Sequence, residues 1–177
     1  TEHFPKNELV SYLQSIGVKF GGDLNASTSF DETIYMLPIP TQNPANVDRG
    51  FQVLADWAGG LLFDPTEIDK ERNVILEEAR LGKDVSDRVR RKLLPELFAG
   101  SRYSERLPIG SEQVIADADY ETIRAFYRDW YRPDLMAVVV VGDIDPARAR
   151  KLIEKNFGQL ENPAHQRTRN TFPVPPM

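Results

Sequence analysis

Apolar residues recur along this chain in two spacings, and the spacings divide it into elements. Leu9, Val10, Leu13 and Ile16 form a stripe after Pro5 and before Gly17, which predicts a first helix with proline at its start and glycine at its end. Residues 23–29 and 33–39 are rich in Thr, Ser, Ile and Tyr. They flank Phe30 and Asp31 and are closed by Pro38 and Pro40, so they predict a hairpin. Val47, Phe51, Leu54, Ala58 and Leu61 repeat at helical spacing. Asp64-Pro65-Thr66-Glu67 is a helix start, with an N-cap Asp, a Pro at the first helical position and a Glu three residues after the cap. The helix it opens is expected to run through Arg80. A charged helix follows over 85–98, with Pro95 as a break or kink, and 100–112 reads as loop. Residues 120–131 predict a helix with Phe126, Tyr127 and Trp130 as an aromatic face, stopped before Pro133. The uninterrupted apolar run 135–141 predicts a buried strand. Asp145 and Pro146 open a last helix, Gly158 ends it, and the tail 162–177 with its four prolines reads as an extended strand or linker.

Helices and strands thus mix. The expected fold is α/β, more narrowly an α+β sandwich, with a mostly antiparallel sheet and helices packed on one face. The 177 residues suit one core, and 41% hydrophobic with 28% charged residues is an ordinary globular composition. A net charge of −5 argues against an electrostatic grip on nucleic acid. The absence of cysteine excludes disulfides and thiolate zinc sites, and leaves cytoplasm and periplasm equally open. The run 135–141 is the longest apolar stretch and is far too short to span a bilayer. The chain opens with Thr1 rather than Met, a first hint of a segment upstream.

The helix opened by Pro65 carries the sharpest chemical signal. At about 100° per residue, Ile68, Val74, Ile75, Ala79 and Leu81 cover one arc, and Glu71 and Glu78, seven residues apart, fall inside it. Glu77 falls on the polar side. A carboxylate in an apolar stripe is unfavourable unless paired or bound to a cation. Two readings stay open at this point. In one, Arg72, Arg80 or a distant arginine pairs with each carboxylate. In the other, one carboxylate binds a metal and the second orients it.

Four segments then acquire a common look. Residues 71–78, Glu-Arg-Asn-Val-Ile-Leu-Glu-Glu, resemble the third-ligand helix of the pitrilysin/insulinase (inverzincin) family of zinc peptidases, which pairs an H-x-x-E-H helix with a downstream Glu. Phe4-Pro5-Lys6-Asn7-Glu8-Leu9 resembles the segment just after the H-x-x-E-H helix in bacterial members. Leu24-Asn25-Ala26-Ser27-Thr28-Ser29 looks like the family's substrate-binding edge strand. Trp130-Tyr131-Arg132-Pro133, continued by Val138-Val139-Val140-Val141-Gly142-Asp143, is similar to the strand that closes the family's first domain. The resemblance implies that Glu78 is the zinc ligand, that Glu71 supports it from behind, and that Asn25 and Ala26 grip an extended peptide. A free strand edge binds backbone of any sequence.

The resemblance also has a gap. No H-x-x-E-H occurs, and the two histidines, His3 and His165, stand in no motif. One carboxylate cannot replace the three or so ligands a catalytic zinc needs. The family places the missing helix just before Thr1. The expectation is therefore a fold truncated at its N-terminus: residues 1–162 as part of a first catalytic domain, and 163–177 as a Pro-rich strand or linker towards the next. The parent would be a zinc-dependent endopeptidase acting on unfolded peptides through zinc-activated water, enclosed with a second homologous half or partner subunit. This chain alone would be inactive. The alternative is a non-catalytic relative of the same fold that serves as a partner or assembly subunit.

Overall fold

Five helices begin where a short polar side chain caps them, one of them with Asp119 accepting from Thr122 N–H at 2.6 Å. Asn43 Oδ1 accepts from Ala45 N–H at 3.0 Å, Asp64 from Thr66 at 2.8 Å, Asp84 from Asp87 at 2.7 Å and Asp145 from Arg148 at 2.8 Å. Proline follows the cap in three of these helices, where its missing N–H removes no intrahelical bond. The computed structural model describes residues 1–19 and 25–175; the expected strand residues Asp23 and Leu24 and the end of the tail lie outside these.

The elements run α1 (Glu8–Ser15), β1 (Asn25–Thr28), β2 (Thr33–Met36), α2 (Pro44–Gly59), α3 (Pro65–Leu81), α4 (Val85–Leu97), α5 (Glu112–Asp117), α6 (Tyr120–Trp130) and α7 (Pro146–Phe157). Single 3-10 turns stand at Arg102–Glu105 and Pro133–Leu135. Among the described residues, the strands form one two-stranded sheet, a hairpin, so the fold is α+β with helix dominant. Gly17, at φ 86, takes the left-handed position just past α1. Pro95 does not break α4. It sits in the last turn, where its lost N–H forfeits a single bond.

The chain divides into two compact units. The first comprises Thr1–Ser27, Ile34–Leu62 and Ala125–Arg167. Its core is Val47 and Phe51 of α2 against Leu152 of α7, with Ile39, Val140, Ile144, Ile153 and Phe157 packed around them. Phe4, Leu13 and Val18 are also buried, and the Arg49 guanidinium lies over the stacked rings of Phe4 and Tyr12. The second unit comprises Thr28–Thr33, Phe63–Arg124 and Thr168–Met177. Here α3 packs on α5, and α4 packs on the 3-10 turn that comes after it. Buried Asp87 accepts from Arg90 at 2.6 Å and Arg91 at 2.5 Å across one turn of α4.

The expectation for the apolar run fails. Residues 135–141 are not a buried strand. The backbone is extended at Met136, but no ladder partner exists among the described residues, and Val139 and Val141 are 81% and 92% exposed. Burial still alternates with period two, and Val140 faces the core. An apolar run on both faces predicts cover on both, and these residues cover only one.

Leu13 is fully buried, so Leu13→Ala should cost about 2–5 kcal/mol, read from the urea midpoint. The Arg91 and Arg90 hydrogen bonds hold the Asp87 carboxyl below its ordinary 3.8. A folded value below the unfolded one stabilises fully above the unfolded value, and the effect is lost as pH falls through the lowered one. The stability gap between wild type and Asp87→Asn should therefore be full at neutral pH and shrink below about pH 4. Urea titrations across that range measure it.

Candidate functional site

Helix α3 buries Ala79 and half-buries Ile68, Arg72 and Ile75, which share one face. Arg72 takes the polar place in that face. Its guanidinium donates to the Ile115 carbonyl and, at 2.6 Å, to the Ala118 carbonyl, both at the C-terminal end of α5. At the same end of α3, the Tyr120 hydroxyl donates to Asp69 at 2.7 Å. The carboxylates expected within the apolar arc are displaced from burial by this arrangement. Glu71 and Glu78 are exposed, and so are their apolar neighbours Val74 and Leu81, at 57% and 69%. Neither carboxylate forms an ion pair or side-chain hydrogen bond among the described residues, because Arg72 is committed to α5 and Arg80 to Glu77. Glu77 is held doubly by Arg80, at 2.8 and 2.5 Å. That contact keeps the Glu77 carboxyl below its usual value. Asn73, Val74, Glu77, Glu78, Leu81 and Gly82 line an open groove of about 740 Å³.

The hairpin is exposed along both strands. Ser29 N–H donates to the Glu32 carbonyl at 2.9 Å, and the Thr28 and Thr33 hydroxyls are 3.5 Å apart. This register sets Ala26 opposite Tyr35. Bonded and non-bonded pairs alternate in an antiparallel ladder, so Ala26, three residues before Ser29, turns its N–H away from β2. That N–H donates to its neighbour's side chain, Asn25 Oδ1, at 2.9 Å. No second strand lies against β1 among the described residues. Behind β2, the Tyr35 and Tyr131 hydroxyls are 2.6 Å apart, and Tyr127 stacks on Tyr131. Partial loss of water around the Tyr35 hydroxyl, on an otherwise exposed residue, and its bond with Tyr131 push it well above its ordinary value, and burial does the same to Tyr127.

Among the described residues no group of three His, Asp or Glu side chains is close enough to hold a metal. His3 is engaged elsewhere: its Nδ1 lies 2.6 Å from buried Asp56, and its backbone N–H donates to the same carboxylate at 3.1 Å. Three groups escaped the sequence reading: Arg72 as the clasp of α3, the Tyr35–Tyr131 pair, and the contact between Tyr103 and Asp31. The partners are 43 to 96 residues apart, and no local pattern encodes such pairs.

Comparison with known proteins sharpens this picture. Residues 1–107 match the family described as "Insulinase (Peptidase family M16)", and residues 117–177 match "Peptidase M16 inactive domain". The probable zinc protease PqqL of Escherichia coli (strain K12) is 36% identical over 170 residues, covering 96% of this chain and 18% of that protein. A zinc protease PQQL-like of Arabidopsis thaliana is 34% identical over 176 residues, covering 99% of this chain and 18% of that one. The chain therefore spans less than a fifth of the length of these relatives. Among solved structures, the first half of the periplasmic protease PqqL from Escherichia coli superposes with a TM-score of 0.91 at 35% identity, over 99% of this chain and 37% of that one. A mutant of the ferredoxin protease FusC in complex with Arabidopsis ferredoxin gives 0.85 at 31% identity, over 94% and 18%. No helix among the described residues is long and apolar enough to cross a membrane.

The clasp on α3 can be tested directly. Arg72→Met leaves two carbonyls without their charged donor and should cost about 2 kcal/mol in urea unfolding. Arg72→Lys should recover part of the loss, because one ammonium lacks the planar fork that spans both acceptors.

Proposed function

The chain belongs to the insulinase family of peptidases, family M16, and on that premise we propose that it is part of a zinc-dependent peptidase, to which it contributes one metal ligand and one peptide-docking strand edge. The observation that carries this reading is the contrast between two adjacent carboxylates. Glu77 is tied to Arg80, whereas Glu78, in an open groove, has no protein partner among the described residues. A carboxylate left without a cation on a helix that the protein takes trouble to anchor is suited to a ligand from elsewhere. Glu71, two turns earlier on the same face, is equally unpaired and is placed to support that ligand. Among the described residues no group of three His, Asp or Glu side chains could complete such a site, so the remaining ligands, the general base and catalysis are assigned in this reading to the longer protein.

The substrate role of β1 rests on the free side of the hairpin. Asn25 and Ala26 stand on an edge with no second strand among the described residues, and the Ala26 N–H is turned outwards. An extended peptide can add there as a third strand through main-chain bonds that ignore its sequence. FusC is a ferredoxin protease seen with ferredoxin, and polypeptides are the substrate class we propose here. A second homologous half or partner subunit would complete the enclosure. One observation favours a different reading, a non-catalytic family subunit: residues 117–177 match a domain described as inactive. A full-length protein that holds no zinc and cleaves no peptide would establish that alternative.

In the full-length protein, Glu78→Gln should abolish peptide cleavage and lower zinc content. Glu71→Gln should impair cleavage and leave more metal bound, about 10- to 100-fold weaker, as changes behind a ligand do. Glu77→Gln should do little. Metal analysis with a fluorogenic peptide assay separates the three, and a damaging Glu77→Gln beside a silent Glu78→Gln would reverse the ligand assignment. On the hairpin, Ala26→Pro removes the outward N–H. It should raise KM or abolish turnover while the melting temperature holds, and full activity would remove the substrate edge.

A further inference from the structure

The hairpin has no core of its own. A two-stranded hairpin is marginal in water, and every residue of β1 and β2 is exposed. Its turn, however, is gripped from within the second unit. The Phe30 ring lies edge-on to Phe98, with centroids 5.6 Å apart, and tilted against Tyr103 at 5.1 Å. The Tyr103 hydroxyl donates to Asp31 Oδ2 at 2.5 Å, and Arg169 donates to the Asp31 carbonyl at 3.3 Å. Phe98 and Tyr103 meet edge to face at 5.9 Å, and Tyr103 meets Phe172 likewise at 6.3 Å. Phe172 carries the guanidinium groups of Arg102 and Arg106, and its carbonyl accepts from the Ser101 hydroxyl at 3.0 Å. Asp31 in the turn is therefore held by partners 72 and 138 positions away.

Such a grip does more than add stability. The turn at 30–31 is the point where the two strands are joined, and pinning it limits how far β1 can swing or splay. A peptide that docks on a fixed edge forms its backbone bonds without first ordering the strand, and this ordering otherwise weakens binding. We propose that Tyr103, acting through Asp31 and Phe30, is a positioning residue that holds β1 in register for the incoming peptide. This inference rests on the peptide-edge reading of Asn25 and Ala26. Tyr103 touches no substrate. Its effect is on affinity, because it acts on the order of the docking strand before the peptide arrives.

The test uses the full-length protein and a fluorogenic peptide. Tyr103→Phe removes only the hydroxyl and keeps the ring against Phe30, so folding is preserved. It should raise KM about three- to ten-fold, the range of one ordinary hydrogen bond, with kcat within about two-fold. Asp31→Ala should do the same, the double variant should be no worse than either single, and Asp31→Asn, which keeps an acceptor, should stay near wild type. Amide exchange over residues 27–34 should quicken in Tyr103→Phe while zinc content stays constant. An active wild type with unchanged KM in Tyr103→Phe overturns this inference alone, as does a fall in kcat with KM unchanged. A wild type without zinc-dependent cleavage overturns the functional reading and this inference with it.

Discussion

The fork between Arg72 and the end of α5 is the contact on which the second unit's chemistry depends. Two carbonyls at a helix C-terminus have no intrahelical donor and carry partial negative charge. A half-buried guanidinium answers both at once and stays charged at any accessible pH. The face of α3 that carries Arg72 is thereby fixed inward, and the helical step then dictates that Glu71 and Glu78 stand in solvent. Had the carboxylates been turned inward, each would have needed a cation of its own. The exposure of Glu78 is thus a consequence of where Arg72 points.

A second constraint governs the hairpin. Its strands are four residues each and cover no core, so ladder bonds alone would leave it frayed. The Asn25 side chain satisfies the Ala26 N–H that the ladder leaves outside, in the way short polar side chains compete for backbone groups. An edge N–H that is closed by the preceding residue's side-chain carbonyl is blunted against chance pairing, yet reopens by a single side-chain rotation.

The helices were legible because their signals are local. Caps and prolines at Asp64-Pro65 and Asp145-Pro146, and a glycine after α1, specify ends within a few residues. Helix α5 was missed because six residues give less than two turns of periodicity, and Ser111 ahead of it forms no capping bond. The choice of Glu78 over Glu77 came from the wheel and from family resemblance. The geometry adds a separate reason, the Arg80 pair on Glu77. What the wheel could not say was which side of α3 would be covered. Val74 and Leu81 read as core and lie in water, because burial is decided by what packs on a helix and not by its own pattern. Residues 135–141 misled in the same way.

Those same residues set a practical limit on the isolated polypeptide. From 136 to 141 the chain offers a run of Val, Ala and Met without charge or proline and without a ladder partner among the described residues, with Val139 and Val141 turned almost fully outward. This composition is what intermolecular cross-β stacking favours. At high concentration this segment is where self-association of the polypeptide would start. Its colloidal behaviour would then report on six residues, and its melting curve on the rest.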